Sequence, residues 1–306
     1  MKSTMEPTIL FLFLNLLCVS VDGHRVLLIS MDGFRHDYIR NPYLNNLTAF
    51  HRMIADGAWA ANGIKNVFMT KTFPNHYTLV SGLYEESHGI VGNEMYDPVF
   101  NATYEISNKS AVADPRWYSG EPIWVTNQRQ ATTHRSGVVM WPTSTAPIEG
   151  FLPYRLLPFS RTPFKDRVDT IVKWLADDEF PINLGLLYME EPDETGHAFG
   201  PDSFELATEL VKLNDVLQHL LYKLEDFHLL DKTDIILTSD HGMTTTPQND
   251  TYKIDLNKYI DFDSYFVTST NPVASIFPHS DGRYNTYRKT ELIKLLEFVR
   301  KVILFV

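Results

Sequence analysis

Three short apolar runs, each followed closely by an aspartate, constrain the fold of this chain more than any other feature. The runs are residues 25–30, 184–189 and 234–239. The aspartates that follow them are Asp32, Asp193 and Asp240. The runs lack polar alternation, which is typical of strands covered on both faces of a sheet. Between the second and third runs, leucines recur at helical spacing over residues 204–230. This spacing predicts an amphipathic helix and, with the strands, the βαβ pattern of an α/β protein.

Length and composition exclude several classes of protein. The 306 residues permit one large domain or two ordinary ones, and 44% apolar residues are typical of a globular chain. The balance of 27 Lys and Arg against 38 Asp and Glu gives a net charge of −11, which argues against a nucleic-acid-binding face. An anionic substrate stays compatible with this charge, because bound metal ions reverse the local sign of a site. Segment 100–165 has no sustained period, and we expect loops and short elements there.

The N-terminal stretch predicts export. Lys2 precedes an apolar run over residues 9–19, and small residues follow as far as Gly23. This pattern predicts a signal peptide over residues 1–23, with a buried N-terminal helix as the alternative. We expect this signal peptide to direct the chain to the secretory pathway or out of the cell. Its removal takes away the single cysteine, Cys18, so we expect no disulfide. Four Asn-x-Ser/Thr triplets then predict N-glycosylation at Asn46, Asn101, Asn108 and Asn249.

The strand-end aspartates occur together with histidines. Asp193 and His197 are four residues apart, and His241 follows Asp240 directly. Any single acid of this kind also fits an ordinary turn or helix cap. The repetition, together with Asp32, predicts two metal sites with oxygen and nitrogen ligands, a set that suits Zn²⁺. Two metal ions about 3.5–4 Å apart form a clamp for phosphoryl transfer.

Phosphoryl transfer of this kind also needs a nucleophile. The segment 69–78 has no helical or strand period and contains three threonines: Thr70, Thr72 and Thr78. A threonine hydroxyl becomes an effective nucleophile when a metal ion or a base activates it. The composition of the segment leaves the choice among the three open.

Five motifs in order resemble the ectonucleotide pyrophosphatase/phosphodiesterase family of the alkaline phosphatase superfamily. They are SMDGFR at 30–35, KTFPNH at 71–76, HGIVGN at 88–93, EEPDETGH at 190–197 and TSDHGM at 238–243. The resemblance runs from about residue 24 to about residue 280. It implies an α/β fold with a central, mostly parallel sheet flanked by helices. It also implies a zinc-dependent hydrolase that cleaves phosphodiester or pyrophosphate bonds of extracellular nucleotides through a covalent threonine intermediate.

The same resemblance implies a role for individual residues. Thr72 matches the nucleophile, and Asn93 matches the side chain that steadies a nonbridging phosphate oxygen. Two zinc ions are implied per chain. The ligands matched for the first are Asp32, Thr72, Asp240 and His241, and those for the second are Asp193 and His197. Phe73 and Tyr188 match aromatic residues of the nucleotide pocket, and a further aromatic residue is expected from Tyr154 or Phe159.

The chain departs from the family near its end. Family members complete the second zinc site with a histidine in a Gly-x-His-Gly motif, and His279 lies instead in a segment that matches a surface turn. The likeness fades after about residue 290, so we expect a truncated catalytic domain over residues 24–306, without the membrane anchor of full-length relatives. A short relative that ends in a helix is the alternative. The incomplete second site also permits a weak or inactive fragment, and some branches of the family act on choline phospholipids instead of nucleotides.

Overall fold

The structure is a computed structural model that describes residues 24–41, 46–246, 258, 265–269 and 271–278. The predicted signal peptide, Asn249, His279 and the stretch from 279 to the C-terminus lie outside the described residues. The strands are β1 (Arg25–Met31), β2 (Glu94–Asp97), β3 (Ala102–Glu105), β4 (Ser136–Val139), β5 (Arg155–Leu157), β6 (Leu184–Met189), β7 (Thr233–Thr238), β8 (Tyr265–Ser269) and β9 (Ser275–Pro278). The α-helices are α1 (Thr48–Asp56), α2 (Thr72–Ser81), α3 (Glu85–His88), α4 (Lys109–Val112), α5 (Ile123–Gln130), α6 (Phe164–Leu175), α7 (Asp193–Phe199) and α8 (Phe204–Asp226). Short 3-10 turns cover Tyr38–Arg40, Pro115–Trp117 and Leu230–Lys232.

Five strands form the central sheet in the order β5-β4-β6-β1-β7, and every pair in it is parallel. In the middle of the sheet, Ile29 of β1 is in register with Leu187 of β6 and Leu237 of β7. Helices pack against the sheet, and the core lies between them. This architecture confirms the predicted α/β fold with a mostly parallel sheet flanked by helices.

The three predicted strands differ in how completely they are covered. Strands β1 and β6 are buried along most of their length, as expected for strands covered on both faces. Strand β7 is an edge strand among the described residues, and 51% of the Ile236 surface is accessible there. The prediction of a strand covered on both faces therefore fails for β7 within this part of the chain.

The predicted leucine-rich helix is present but ends earlier than its pattern indicates. Helix α8 begins after Ser203, whose Oγ accepts a hydrogen bond from the backbone N–H of Leu206, and it ends at Asp226. His228 has a φ of +54°, which an α-helix does not accommodate. The leucine face of α8 packs against α6 and α1. In the described residues, no helix combines the length and apolar character needed to cross a membrane.

Segment 100–165 contains short elements, as predicted, but one of them is a core strand. All four residues of β4 are buried between β5 and β6. The apolar part of β4 is only Val138 and Val139, preceded by Ser136 and Gly137, so the sequence gives little strand signal. Gly137 leaves room for Ile182 and Trp174, whose side-chain atoms would lie 2.5 and 2.9 Å from a Cβ at this position.

Candidate active site

The three strand-end aspartates meet at one edge of the central sheet. Strand β1 lies between β6 and β7, and all three run parallel, so their carboxyl ends open on the same side. Asp32 directly follows β1, Asp240 follows β7 by two residues, and Asp193 begins helix α7 shortly after β6. Asp32 and Asp240 are buried, and Asp193 is mostly buried. Ligands of open α/β sheets bind at such an edge, which makes this the candidate site.

Two predicted histidines join the aspartates. His241 Nε2 lies 3.3 Å from both Asp32 Oδ1 and Asp240 Oδ2. Ligand atoms of Asp32, Asp193 and His241 all lie within 4.8 Å of one another. His197 Nε2 lies 3.4 Å from Asp193 Oδ2, with the imidazole at the more exposed side of the cluster. The structure thus brings together every side chain for which the sequence predicts a metal-binding carboxylate or imidazole.

The sequence did not single out His76, which is fully buried beside this cluster. Its Nδ1 lies 3.4 Å from Asp240 Oδ2, and with Asp32 these two residues form a second group of potential ligands. However, His76 Nδ1 is also 2.8 Å from the carbonyl oxygen of Thr72, which can only accept a hydrogen bond, so this nitrogen carries the proton. His76 Nε2 then accepts from the Ser30 hydroxyl at 2.8 Å. Both ring nitrogens are therefore used within the protein, and we assign His76 a supporting role rather than a metal-binding one.

Within the part of the chain that the structure describes, the buried carboxylates retain oxygens with no hydrogen-bond partner. These are Asp32 Oδ1, Asp193 Oδ1 and Asp240 Oδ2. The second carboxylate oxygen of Asp32 accepts a hydrogen bond from the Tyr188 hydroxyl at 2.6 Å. The second oxygen of Asp240 accepts one from the Gly33 N–H at 3.1 Å. Burial, and after it the Asp240 carboxylate, raises the pKa of Asp32 well above its ordinary value, and burial also raises the pKa of Asp240. A cation would offset this cost, and the oxygen and nitrogen donors without sulfur fit zinc.

Helix α2 brings Thr72 to the same place. Thr72 is its first residue, and the His76 ring one turn later binds the Thr72 carbonyl and approaches Asp240. Of the two other threonines that the sequence left open, Thr78 is bonded to His88 Nε2 at 2.9 Å, whereas Thr70 lines the cavity as Thr72 does. The structure therefore removes Thr78 from the choice and places Thr72 at the N-terminus of a helix, whose dipole favours an anion there.

Asn93 fixes the start of this helix. Its Oδ1 accepts a hydrogen bond from the Phe73 N–H at 3.0 Å. With the amide oxygen directed at helix α2, the NH₂ group is the part of the side chain that can donate to a ligand in the cavity. A donor beside Thr72 is the arrangement that the predicted role of Asn93 in holding a phosphate oxygen requires.

A cavity of about 1470 Å³ opens over the cluster. The site residues in its wall are Asp32, Thr72, Phe73, Asn93, Tyr188, Asp193, His197 and His241. Phe159 also lines it, whereas the Tyr154 ring lies elsewhere, with the Arg135 guanidinium 5.4 Å from its centroid. The structure thus favours Phe159 over Tyr154 as the further aromatic residue. Only 5% of the Tyr188 surface is accessible, and its hydroxyl positions Asp32.

Gly33 lies where the segments that carry Asp32, Asp193 and Asp240 meet. It has a φ of +67°, and its N–H donates to Asp240. A Cβ at this position would lie 2.9 Å from both Cβ and Oδ1 of Asp193. Real Cβ atoms do not approach so closely, so the DG dipeptide is needed both for the turn and for the close approach of the Asp32 and Asp193 segments.

We expect Gly33→Ala to reduce both stability and zinc binding. A non-glycine residue at positive φ costs about 1–3 kcal/mol, and the contact with Asp193 adds to this cost and displaces a ligand. Gly82 is a matched control, because its φ is +70° and nothing lies within 4 Å of a Cβ built there. Thermal unfolding and zinc content of Gly33→Ala and Gly82→Ala measure the difference. Equal loss of zinc in the two variants would contradict the proposed convergence at Gly33.

Three of the predicted glycosylation sites are described, and each is exposed. They are Asn46, Asn101 and Asn108. Asn101 accepts a hydrogen bond from the Tyr96 hydroxyl, and Asn108 caps helix α4 through Oδ1. Their use stays a prediction, which the mass lost on N-glycosidase treatment of the chain secreted from animal cells would test.

Comparisons with known proteins agree on one family. A family model described as type I phosphodiesterase / nucleotide pyrophosphatase matches residues 26–302. Ectonucleotide pyrophosphatase/phosphodiesterase family member 5 of Homo sapiens is 40% identical over 265 residues, which are 86% of this chain and 54% of the relative. A bis(5'-adenosyl)-triphosphatase of Mus musculus is 42% identical over 257 residues, 83% of this chain and 54% of the relative. The chain thus spans about half the length of the curated relatives it matches.

Solved structures of one relative share the fold. An inactive threonine-to-alanine form of murine ectonucleotide pyrophosphatase/phosphodiesterase 5, in complex with AMP, has a TM-score of 0.78 and 39% identity, and the match covers 85% of this chain and 67% of that one. The human protein gives a TM-score of 0.74 and 39% identity over 83% of this chain and 66% of that one. At this identity the likeness extends beyond topology to sequence.

Proposed function

Since the chain belongs to the type I phosphodiesterase / nucleotide pyrophosphatase family, we propose that it is a zinc-dependent hydrolase of extracellular nucleotides. It cleaves phosphodiester or pyrophosphate bonds of these nucleotides and releases a nucleoside monophosphate. Relatives are named as nucleotide hydrolases, and one is solved with AMP. Their names support the substrate class for this chain.

The observation that carries the proposal is the group of unpartnered carboxylate oxygens beside the start of helix α2. Among the described residues, Asp32, Asp193 and Asp240 each keep one buried oxygen without a hydrogen bond, and all three carboxylates lie near His241. Asp32, Thr72, Asp240 and His241 would hold one zinc ion, and Asp193 and His197 would hold another. When bound, such ions lower the pKa of a coordinated hydroxyl and offset negative charge on a phosphoryl group.

The residues of the chain supply the nucleophile and the anion site. Thr72 Oγ1 forms a bond to phosphorus while the bond from phosphorus to the leaving oxygen breaks. The hydroxyl proton passes to solvent, and the leaving group takes up a proton. A water molecule then attacks the same phosphorus, the threonine–phosphorus bond breaks, and the hydroxyl of Thr72 is restored. The positive end of the α2 dipole and the NH₂ of Asn93 stabilise the charge that develops on the nonbridging oxygens.

Aromatic side chains in the cavity wall are compatible with a nucleotide substrate. Phe73, Phe159 and Tyr188 lie in the wall, and Phe159 is the most accessible of the three. An exposed ring can stack on a flat base. A choline headgroup also binds aromatic faces, so the phospholipid alternative is decided by assay.

Turnover by the purified chain tests the proposal. We expect hydrolysis of a nucleotide p-nitrophenyl ester and about two zinc ions per chain by elemental analysis, with activity lost on chelation and restored by zinc. A dinucleotide and a lysophosphatidylcholine compared under the same conditions identify the substrate class. Preference for the lysophospholipid would replace the nucleotide with a choline phospholipid. Absence of both zinc and turnover would establish an inactive chain.

A further inference from the structure

Arg167 is a buried arginine that stands directly behind the cavity wall. It belongs to helix α6, and only 1% of its surface is accessible. Its guanidinium forms two hydrogen bonds with the Glu190 carboxylate, at 2.5 and 2.7 Å. A third goes from Nη1 to the Tyr188 carbonyl at 3.0 Å, and a fourth from Nε to the Thr162 carbonyl at 2.8 Å. The guanidinium is thus held by two separate segments of the chain.

Both segments lead into the candidate active site. Glu190 lines the cavity, its carbonyl oxygen lies 3.5 Å from the Glu194 nitrogen, and it lies just before Asp193, the first residue of α7. Thr162 lies in the loop between β5 and α6, and Pro158 and Phe159 of the same loop line the cavity. Arg167 therefore connects the segment of a metal ligand with the segment of the exposed aromatic ring.

The geometry of arginine suits this connection. A planar guanidinium can bind both oxygens of one carboxylate and still donate to two carbonyls, which a lysine ammonium cannot do in the same positions. The pairing also offsets the negative charge of Glu190, which lines the same cavity as Asp32 and Asp193.

We propose that Arg167 is a positioning residue that fixes the separation between Asp193 and Phe159, and so controls both zinc affinity and nucleotide affinity. This inference rests on the proposed function, because the two affinities concern the zinc ion and the nucleotide of that function. It assigns Arg167 no contact with either of them.

A double substitution separates positioning from a role in stability alone. Replacement of a buried ion pair by apolar residues of similar size often preserves stability, so Arg167→Met with Glu190→Met is suited to keep the fold and remove the connection. We expect the weaker zinc site of this variant to lose about tenfold in affinity, since loss of a supporting contact costs about 10–100-fold. We also expect the AMP dissociation constant of the zinc-loaded protein to rise about tenfold, because a base stacked on Phe159 accounts for about this factor.

Arg155 and Asp177 provide the matched control. They form a second Arg–carboxylate pair, at 2.7 Å, next to the same helix but outside the cavity wall. Arg155→Met with Asp177→Met should leave both affinities unchanged. The measurements are chelator competition for zinc, calorimetric titration of AMP, and a melting curve for each variant.

The outcomes separate the two proposals. A folded Arg167→Met/Glu190→Met variant that binds zinc and AMP within twofold of the wild-type chain overturns the positioning role. Should the double variant fail to fold, Arg167→Lys keeps the charge but loses the fork, and unchanged affinities in that variant overturn the role equally. A wild-type chain that binds neither zinc nor AMP overturns the proposed function itself.

Discussion

Thr72→Ala is expected to abolish nucleotide hydrolysis while the protein still binds AMP. Loss of a catalytic nucleophile lowers turnover by about 10³-fold or more, because the covalent route disappears with it. The cavity wall and the NH₂ of Asn93 do not depend on the Thr72 hydroxyl, so the nucleotide still has its binding contacts. The murine relative solved in an inactive threonine-to-alanine form with AMP shows that such a combination exists in the family.

Thr70→Ala is the control for this experiment. Thr70 lines the same cavity two residues earlier, and the sequence alone does not separate it from Thr72. We expect Thr70→Ala to retain turnover within about tenfold of the wild-type chain, and Thr72→Ser to recover part of it through its hydroxyl. Turnover of the nucleotide ester and calorimetric titration of AMP measure both properties. Activity that survives Thr72→Ala but not Thr70→Ala would reassign the nucleophile.

The parts of this site that the sequence predicts are those with a local signal. The apolar runs at β1 and β6 identify buried strands, and an acid after each strand identifies the binding edge of the sheet. Asp193 and His197 lie one helical turn apart, so their pairing is also a local property. These features depend on residues close together in the chain, so they can be predicted without knowledge of contacts between distant segments. The structure contains each of them.

The parts that the sequence misses depend on contacts between distant segments. His76 binds Ser30, 46 residues away, and nothing in its neighbourhood in the sequence indicates that both of its nitrogens are used. In the sequence, Arg167 is one of several charged residues on an amphipathic helix. Only the structure places Glu190 beside it. Phe159 and Tyr154 are equivalent aromatic residues in one loop, and only the path of that loop decides which of them reaches the cavity.

Asp240→Asn is expected to remove zinc binding with little change in the metal-free fold. An asparagine keeps the size of the side chain, and its carbonyl oxygen can still accept from the Gly33 N–H. The substitution removes the negative charge and the second oxygen, which in the wild-type chain has no hydrogen-bond partner and lies 3.3 Å from His241 Nε2. Loss of a direct ligand should lower zinc affinity by more than the about 10–100-fold that loss of a supporting contact costs.

Thermal unfolding with and without zinc measures this loss independently of catalysis. A ligand at a hundred times its dissociation constant stabilises the folded state by about 2.7 kcal/mol, and after a hundredfold loss of affinity by about 0.4 kcal/mol. The zinc-induced rise in melting temperature should therefore almost disappear in Asp240→Asn. Asp234→Asn is the matched control, because Asp234 lies on β7, the strand that leads to Asp240, is exposed and, among the described residues, has a 3.8 Å contact with His24. An equal zinc response in Asp240→Asn and the wild-type chain would exclude Asp240 as a ligand. It would also leave the raised pKa of this buried carboxyl to be explained by burial alone, with the proton rather than a metal ion as its partner.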